Sequence, residues 1–142
     1  GIEIVIDKKA FNDLENSVIR PRNFDMLLFG EVYGYEPDPF AFWHSSQIKD
    51  PGLNVALYSN KKADQILEEA RRLSDPITRE QKYEELTKII NHDLPVIFLY
   101  SQLYLYLLPS HIQGTNLAKI SLPADRFNEI NKWYIRTRRV LK

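Results

Sequence analysis

Three histidines are the residues of this chain best suited to metal binding or proton transfer, and their spacing argues against both. His44, His92 and His111 are far apart, and none stands in a metal-ligand pattern such as HExxH. The chain has no cysteine, so it offers neither thiolate ligands nor a disulfide framework. We therefore predict no metal site, and we expect each histidine to lie on the surface or in a loop.

Carboxylate pairs and glycine patterns also fail to predict catalysis. The pairs Glu68–Glu69 and Glu84–Glu85 are adjacent on predicted helices, so their side chains diverge by about 100 degrees and cannot flank one bond. The sequence contains no GxSxG motif, no phosphate-binding glycine loop and no dinucleotide fingerprint. We predict that the protein is not an enzyme, has no catalytic residues and uses no cofactor.

The segment from Gly34 to Ser46, GYEPDPFAFWHSS, places aromatic and acidic side chains on a stretch without helical or strand periodicity. Aromatic area with a few polar groups is typical of small-ligand clefts. The segment also follows a predicted strand, and ligands of open α/β sheets lie at the carboxyl ends of strands. We therefore expect a binding wall here. The alternative is that Phe40, Phe42 and Trp43 fill the core below the loop while the prolines stiffen it.

Length and charge limit the function classes further. A chain of 142 residues is long enough for one domain with its own core. Its 19 basic and 19 acidic side chains cancel, so no net charge indicates nucleic acid or an anionic membrane as a partner. The longest apolar run, residues 96–108, is shorter than the roughly 18 to 20 residues that span a bilayer.

The first thirty residues predict a β-α-β unit. Ile2–Asp7 is rich in β-branched residues and indicates a strand, after which Asp7 is the expected N-cap of a helix that ends at Pro21. Phe24–Gly30 is an apolar run expected of a strand covered on both faces. The crossover between the two strands should be right-handed.

Helices and further strands are expected in the remainder. Residues 63–73 carry an apolar stripe that Asn60 can cap, and Thr78 with Gln81 has the spacing of a capping box for the next helix. The predicted fold class is α/β, a mixed sheet with helices packed on it. The other expected elements are Val96–Tyr100 and Leu103–Leu108 as two strands or one bent strand, a helical turn over Asp125–Ile130, a short strand over Trp133–Ile135, and a solvated basic tail.

The order of several short motifs resembles the C-terminal part of the family 5 extracellular solute-binding proteins, the peptide-binding subunits of ABC importers. Each motif is weak alone, and the specificity lies in their order across essentially all 142 residues. They are the Gly1-Ile2 strand, Phe24-Asp25, Asp38-Pro39, His44-Ser45-Ser46-Gln47, Gly52-x-Asn54, Tyr58-x-Asn60, Asp64, Ala70, Asp75 with Arg79, Tyr83 and Asp93-x-Pro95.

The resemblance implies that residues 1–142 are a single domain, the C-terminal lobe of a longer protein with a signal peptide. Two α/β lobes of a periplasmic-binding-protein-like (type II) fold would close on a solute by a hinge. The first residue is Gly1 rather than Met, which also leads us to expect a longer parent. The implied location is extracytoplasmic, in a periplasm or at the cell surface, with membrane permease subunits as partners. In that family the strand entering the loop lies along the ligand, and the predicted ligand-binding residues are Gly30, Glu31, Val32, Tyr33, Tyr35, Glu36 and Trp43.

One departure from the family pattern concerns the ligand. Peptide binders of this family place an aspartate about four residues before the Pro of the Asp-Pro pair, and this chain has Tyr35 there, or Gly34 if the loop carries an insertion. A buried ammonium group without a counter-charge costs several kcal/mol. The ammonium of a peptide must then be bound by Glu31, by Glu36 or by the other lobe, or the ligand is an oligosaccharide or another small solute.

Two further expectations follow. A rival function is a protein-interaction domain that uses the tyrosines and Trp43 of the loop as anchors. A lobe separated from its mate also exposes apolar inter-domain surface, so we expect the fragment to self-associate.

Overall fold

The computed structural model describes residues 1–34, 38–115 and 120–137. The chain divides into two compact units, each described below by itself: Gly1–Gly30 with Asp38–Ile97, and Glu31–Pro37 with Phe98–Lys142. Two of the predicted ligand-binding residues, Tyr35 and Glu36, lie outside the described residues, as does the end of the basic tail after residue 137. The prediction that residues 1–142 form one lobe of a longer protein stays a prediction.

The first unit is helical. In its described part the α-helices are α1 (Phe11–Leu14), which continues as a π-helical turn over Glu15–Ile19, α2 (Phe40–Trp43), α3 (Lys61–Arg72) and α4 (Pro76–Asp93). A 3₁₀ turn at Ser45–Gln47 follows α2.

The two long helices form as predicted, and each begins at a side-chain cap. The Asn60 side chain accepts hydrogen bonds from the backbone N–H groups of Lys62 and Ala63, which confirms the expected start of α3. Helix α4 begins earlier than the capping-box spacing predicts. Its N-cap is Asp75, which accepts from the backbone of Thr78 at 2.9 Å, and Pro76 occupies the first turn, where a missing N–H costs nothing.

The core of the first unit lies between α3, α4 and the segment that precedes them. Leu67 on α3 is only 1% exposed, and its neighbours from α4 are Leu86 and Ile90. The helical period of the apolar residues places these side chains on the facing sides of the two helices. The buried members of this core are Trp43, Tyr58, Ala63, Ile66, Leu67, Leu86 and Ile90.

The N-terminal helix differs from its prediction. It begins at Phe11 with Ala10 as N-cap, while Asp7 instead pairs with Lys9 at 2.8 Å. The side chain of Arg22 connects the end of this helix to the loop around residue 50, because its guanidinium donates to the backbone carbonyls of Ile48 and Gly52 at 3.0 and 2.6 Å.

The predicted β-α-β start is wrong for this structure. No strand forms in the described segments Ile2–Asp7, Phe24–Gly30, Val96–Tyr100 and Leu103–Leu108. A strand is stable only when a neighbouring strand pairs with its backbone and another layer covers its apolar face. These segments expose most of their apolar side chains instead, with Leu103 99% exposed. The architecture is a helix-rich mixture with a small sheet rather than an α/β sheet with helices packed on it.

The second unit contains that sheet. Strand β1 (Ile112–Gln113) pairs antiparallel with β2 (Tyr134–Ile135), and Ile112 lies opposite Ile135. The predicted strand at Trp133–Ile135 is therefore confirmed over its last two residues. Between the strands, 3₁₀ turns at Pro123–Phe127 and Ile130–Lys132 replace the single helical turn expected at Asp125–Ile130.

Gly114 ends β1 in a conformation that requires glycine. Its φ is +79°, and a Cβ there would lie 2.3 Å from the carbonyl oxygen of Lys132. Within the part of the chain that the structure describes, no helix combines the length and the apolar character needed to cross a membrane.

Candidate functional site

The described part of the predicted ligand-binding segment lies mainly in the second unit. Gly30 is the last residue of its stretch in the first unit, and Glu31, Val32 and Tyr33 belong to the second. Glu31 and Val32 are exposed, whereas Tyr33 is half-buried. An exposed carboxylate and an exposed apolar side chain next to a tyrosine offer a ligand both charge and apolar area.

Among the described residues of this segment, Glu31 has a carboxyl whose pKa is strongly shifted. Partial desolvation raises the pKa of its carboxyl from the ordinary value of 4.5 to about 7, and a hydrogen bond with Tyr33 acts in the opposite direction. The residue still presents exposed surface, so the carboxyl remains within reach of a ligand. It can exchange a proton near neutral pH, and an ammonium group beside it would favour the ionised form.

The end of this segment is tied to the second unit by a hydroxyl. Ser121 Oγ donates to the carbonyl of Gly34 at 3.4 Å, and the backbone N–H of Ser121 donates to Asp125 at 2.9 Å. Asp125 also accepts from the backbone of Leu122, and these backbone hydrogen bonds lower the pKa of Asp125. Asp125 of the 3₁₀ turn over Pro123–Phe127 therefore holds Ser121 in place, and Ser121 in turn contacts the carbonyl of Gly34.

Trp43 is not on a ligand wall in this structure. It is 4% exposed and packs edge-to-face on Tyr58 with 6.1 Å between ring centroids, inside the core of the first unit. The alternative stated from the sequence, that the rings fill the core below the loop, holds for Trp43. Its burial also removes the strongest anchor of the rival protein-interaction function, because an anchor must be accessible to the partner.

Phe40 and Phe42 pack against the same core. The ring of Phe40 lies between two groups, stacked on His44 at 4.1 Å and covered by the Arg71 guanidinium at 4.1 Å. Arg71 in turn forms an ion pair with Asp38 at 2.8 Å. The aromatic residues at 40–43 therefore form a short helix that is held by packing, although the sequence pattern predicted an irregular loop.

A polar network that sequence reasoning did not predict organises the segment before α3. Its centre is Asn54, which is fully buried. The amide nitrogen of Asn54 donates to the carbonyls of His44 and Tyr58 at 3.1 and 2.9 Å, and its oxygen accepts from the backbone N–H of Tyr58 at 3.0 Å. All three contacts go to backbone groups. The side chain of Asn54 therefore satisfies backbone donors and acceptors that are not paired within a helix or a sheet.

Asp93, the last residue of α4, joins the second helix to this network. It accepts from the hydroxyl of Tyr58 at 2.6 Å and from the side chain of Asn60 at 2.8 Å. These hydrogen bonds, with a further one from His92, lower the pKa of Asp93 to about 2. Burial, followed by the bond to Asp93, raises the pKa of Tyr58, so the phenol stays protonated and acts as a donor.

His44 occupies a loop position between α2 and the 3₁₀ turn, which is within the prediction of a surface or loop histidine, and its side chain is buried. Its Nδ1 accepts from the backbone N–H of Ser46 at 3.1 Å and contacts the Ser46 hydroxyl at 2.8 Å. Among the described residues its Nε2 has no hydrogen-bond partner, and carboxylate oxygens of Glu68 and Asp64 lie 3.5 and 3.9 Å away.

These groups have the residue types of a serine hydrolase site, but the geometry is that of a helix cap. Both contacts of His44 Nδ1 go to Ser46, two residues along the chain, where His44 caps the 3₁₀ turn. Asp64 receives both the backbone N–H and the hydroxyl of Ser45, at 2.9 and 2.6 Å. The cluster thus anchors residues 44–46 to α3. In the described residues, no group of three or more His, Cys, Asp or Glu side chains is arranged to hold a metal ion.

The motifs that carry the family resemblance could have revealed this network. Of the residues in those motifs, the ones that form it are His44, Ser45, Asn54, Tyr58, Asn60, Asp64 and Asp93. The motifs therefore include side chains of this polar network, whereas the ligand-binding residues were predicted from the family resemblance, in which the strand entering the loop lies along the ligand.

Comparison with known proteins identifies a relative over almost the whole chain. The chain is 31% identical over 136 residues, or 95% of its length, to the oligopeptide-binding protein AppA of Bacillus subtilis (strain 168). A solved structure of AppA from Bacillus subtilis in complex with a nonapeptide matches with a TM-score of 0.46 and 32% identity, covering 72% of this chain and 19% of that chain. No protein-family model matches the sequence.

The resemblance stated from the sequence is confirmed by this relative. The chain is homologous to part of an oligopeptide-binding protein, and it spans 24% of that protein's length.

Proposed function

We propose that this chain is the C-terminal lobe of a substrate-binding protein of an ABC importer, and that the whole protein binds an oligopeptide or a similar small solute between two lobes. The observation that carries this proposal is the 31% identity to AppA over 95% of the chain. Because the chain spans a quarter of that relative, it would supply one wall of the cleft, and binding would belong to the longer protein.

The wall that we propose is the segment Gly30–Glu36. What supports it is the combination of an exposed Val32, a half-buried Tyr33 and a carboxyl of raised pKa at Glu31. Glu31 is the described acidic group that could bind the ammonium of a peptide, since Tyr35 stands where the family places an aspartate. Trp43 is left out of the wall because it lies in the core.

The proposed protein is a receptor and not an enzyme. The residue types that could perform hydrolysis, at His44, Ser45, Ser46 and Asp64, are occupied with capping a turn and fastening it to α3. We further propose an extracytoplasmic location, with membrane permease subunits as the partners of the longer protein. An oligosaccharide or another small solute is the alternative ligand, because Tyr35 suits stacking on a sugar.

The test is a thermal-shift screen of the longer protein against peptide and oligosaccharide libraries. A ligand that binds only the folded state raises stability by about 2.7 kcal/mol at a hundredfold excess over Kd, which is a measurable rise in melting temperature. We expect peptides to produce that rise. Absence of any shift with every peptide and sugar class would reject the proposal, and a shift with sugars alone would replace the peptide with an oligosaccharide.

Variants of the same protein locate the site. We expect Glu31→Gln to weaken binding of peptides with a free amino terminus more than binding of amino-terminally acetylated peptides. We expect Tyr35→Asp to change the ligand preference more than the melting temperature. Glu80→Gln, on an exposed position of α4, is the matched control and should change neither. Equal binding of free and acetylated peptides by the wild type would show that no ammonium is recognised.

A further inference from the structure

Arg126, in the second unit, is a cation that no described acid neutralises. Its Nη1 donates to the hydroxyl of Tyr104 at 2.5 Å and to the backbone carbonyl of Pro123 at 2.8 Å. Its Nε is buried and has no hydrogen-bond partner among the described residues. The neighbouring acid, Asp125, is directed elsewhere, because it accepts from the backbone N–H of Ser121. The described residues therefore leave the guanidinium without a counter-charge.

Aromatic rings hold this guanidinium in one orientation. Its Cζ lies 4.4 Å from the ring centroid of Phe127 and 5.0 Å from that of Tyr106. Tyr106 is stacked on Tyr104 with 6.3 Å between centroids, and Trp133 lies 6.0 Å from Phe127. A guanidinium that is already fixed by its neighbours loses little side-chain freedom when it binds an anion.

The unpaired part of the guanidinium is suited to a carboxylate. Nη1 supplies only some of its N–H donors, and the Nε–H and Nη2 groups form a second edge that has no described hydrogen-bond acceptor. Such an edge binds the two oxygens of a carboxylate through two parallel hydrogen bonds. The hydroxyl of Tyr104 accepts from Nη1, so it keeps its own hydrogen for donation to an anion.

We propose that Arg126 and the Tyr104 hydroxyl form a subsite for a carboxylate of the bound solute, either the terminal carboxylate of a peptide or an acidic side chain. The inference rests on the proposed function, because it names a further group of the ligand that the second unit recognises. Since Nε is out of contact with solvent, the carboxylate enters after a neighbouring ring rotates. Tyr104 and Phe127 are 44% and 41% exposed, so either ring can rotate into solvent.

The 3₁₀ turn over Pro123–Phe127 connects this subsite to the proposed wall. Asp125 of the turn holds Ser121, whose hydroxyl donates to the carbonyl of Gly34, and Arg126 follows Asp125 directly. The same unit contains Glu31, for which we propose binding of an ammonium group. A peptide has both charges and a neutral sugar has neither, so the two residues together favour a peptide as the ligand.

Binding of three random hexapeptide libraries by the longer protein tests the subsite. One library has free carboxyl termini, the second is amidated at the carboxyl terminus, and the third lacks Asp and Glu. We expect one of the two changes to weaken binding at least roughly tenfold, because it removes the partner of a desolvated charge. Weaker binding of the amidated library assigns the terminal carboxylate, and weaker binding of the third library assigns an acidic side chain. Equal affinity for all three libraries would overturn the proposal.

Substitution of the arginine identifies the residue responsible. Arg126→Gln should remove the preference for the carboxylate, and Arg126→Lys, which keeps the charge but loses the parallel donors, should reduce it. Arg136→Gln, which removes an exposed arginine of the same unit, is the matched control and should keep the preference. Weaker binding of all libraries by Arg126→Lys with an unchanged preference would mean that Arg126 only supports the fold, and would overturn the proposal.

Nuclear magnetic resonance of this chain provides a test that needs no peptide binding. The Nε–H signal of Arg126, assigned by its loss in Arg126→Lys, should shift on addition of N-acetylglycine and should not shift with the uncharged N-acetylglycinamide. No shift with either compound would overturn the subsite even in a protein that binds peptides. A shift in a protein that binds neither peptides nor sugars would reject the proposed function and retain the subsite. A signal that responds in this chain but not in the longer protein would show that an acid of the longer protein occupies the position, and would overturn the proposal.

Discussion

Two sets of residues contain the same kinds of apolar side chain but differ in burial. One is residues 38–93, and the other is the extended segments 2–7, 24–30, 96–100 and 103–108. In the first region, Leu67 and its neighbours are buried between two helices, and the polar groups around Asn54 are paired. In the second, side chains such as Leu103 stand in water. A helix makes its backbone hydrogen bonds within itself, whereas a strand depends on residues elsewhere in the chain or beyond it. The difference teaches that this chain contains enough information to form helices α3 and α4, and too little to form the strands predicted for the extended segments.

The largest expected effect comes from the same truncation made in both regions. Leu67→Ala should lower the free energy of unfolding of the chain by about 3 kcal/mol, because it leaves a cavity among packed side chains. Leu103→Ala should change it by less than about 0.5 kcal/mol, since an exposed side chain loses no packing. Urea unfolding followed by circular dichroism gives both values. Similar losses for the two variants would show that Leu103 is packed and would end the comparison.

The same difference explains how much of the fold the sequence could predict. Helices α3 and α4 were predictable because caps such as Asn60 and the 3.6-residue period are local signals. The segments Ile2–Asp7 and Phe24–Gly30 have strand composition, but composition does not supply a partner, and the predicted β-α-β unit does not form. The position of the last strand at Trp133–Ile135 could be predicted from a local pattern. Its antiparallel pairing with β1 could not, because pairing depends on residues elsewhere in the chain.

The candidate site shows a similar limit. Glu31 and Val32 are exposed, and their role in binding stays a prediction. The burial of Trp43 could not be derived from composition, since an aromatic residue suits a cleft and a core equally well. The role of Asn54 was not predicted either, because it depends on backbone groups that only the fold brings close to its amide. Its place in the Gly52-x-Asn54 motif was the one available signal.

The next largest effect should come from that amide. Asn54→Ala should cost about 2 kcal/mol of unfolding free energy, because it removes the hydrogen-bond partner of the backbone N–H and carbonyl of Tyr58. Asn91→Ala, on an exposed face of α4, is the matched control and should stay within about 0.5 kcal/mol of the wild type. If Asn54→Ala were as stable as Asn91→Ala in urea, the polar network would not hold the first region together.

A smaller effect is expected at the start of α3. Asn60→Ala removes the cap of that helix and a donor to Asp93, and should cost about 1 kcal/mol. Asn60→Asp keeps an oxygen that can cap the helix but places a second carboxylate beside Asp93. We therefore expect Asn60→Asp to lose stability at pH 7 and to recover part of it at acidic pH, where one carboxyl is protonated. A loss independent of pH would mean that the contact with Asp93 contributes little.

The smallest effect concerns two carboxyl groups whose pKa values move in opposite directions. Asp93, in the first unit, has a pKa lowered from 3.8 to about 2, so it contributes stability that is present above pH 3.8 and is lost as the pH falls toward 2. Glu31, in the second unit, has a pKa raised from 4.5 to about 7. The folded protein keeps that proton while the unfolded chain releases it, so the contribution of Glu31 is present below pH 4.5 and is lost as the pH rises through 7.

Substitution of each carboxyl by the uncharged amide should therefore reduce the dependence of stability on pH, at acidic pH for Asp93 and near neutral pH for Glu31. Asp93→Asn should reduce the loss of stability between pH 4 and pH 2, and Glu31→Gln should reduce the loss between about pH 5 and pH 8. The change at Glu31 should be modest, because its exposed carboxyl is partly screened by solvent. Melting temperatures of both variants and the wild type at pH 2, 4, 5 and 8 measure these slopes. A Glu31→Gln profile parallel to that of the wild type from pH 5 to pH 8 would mean that Glu31 ionises normally, and the segment would then offer a ligand an ordinary surface carboxylate.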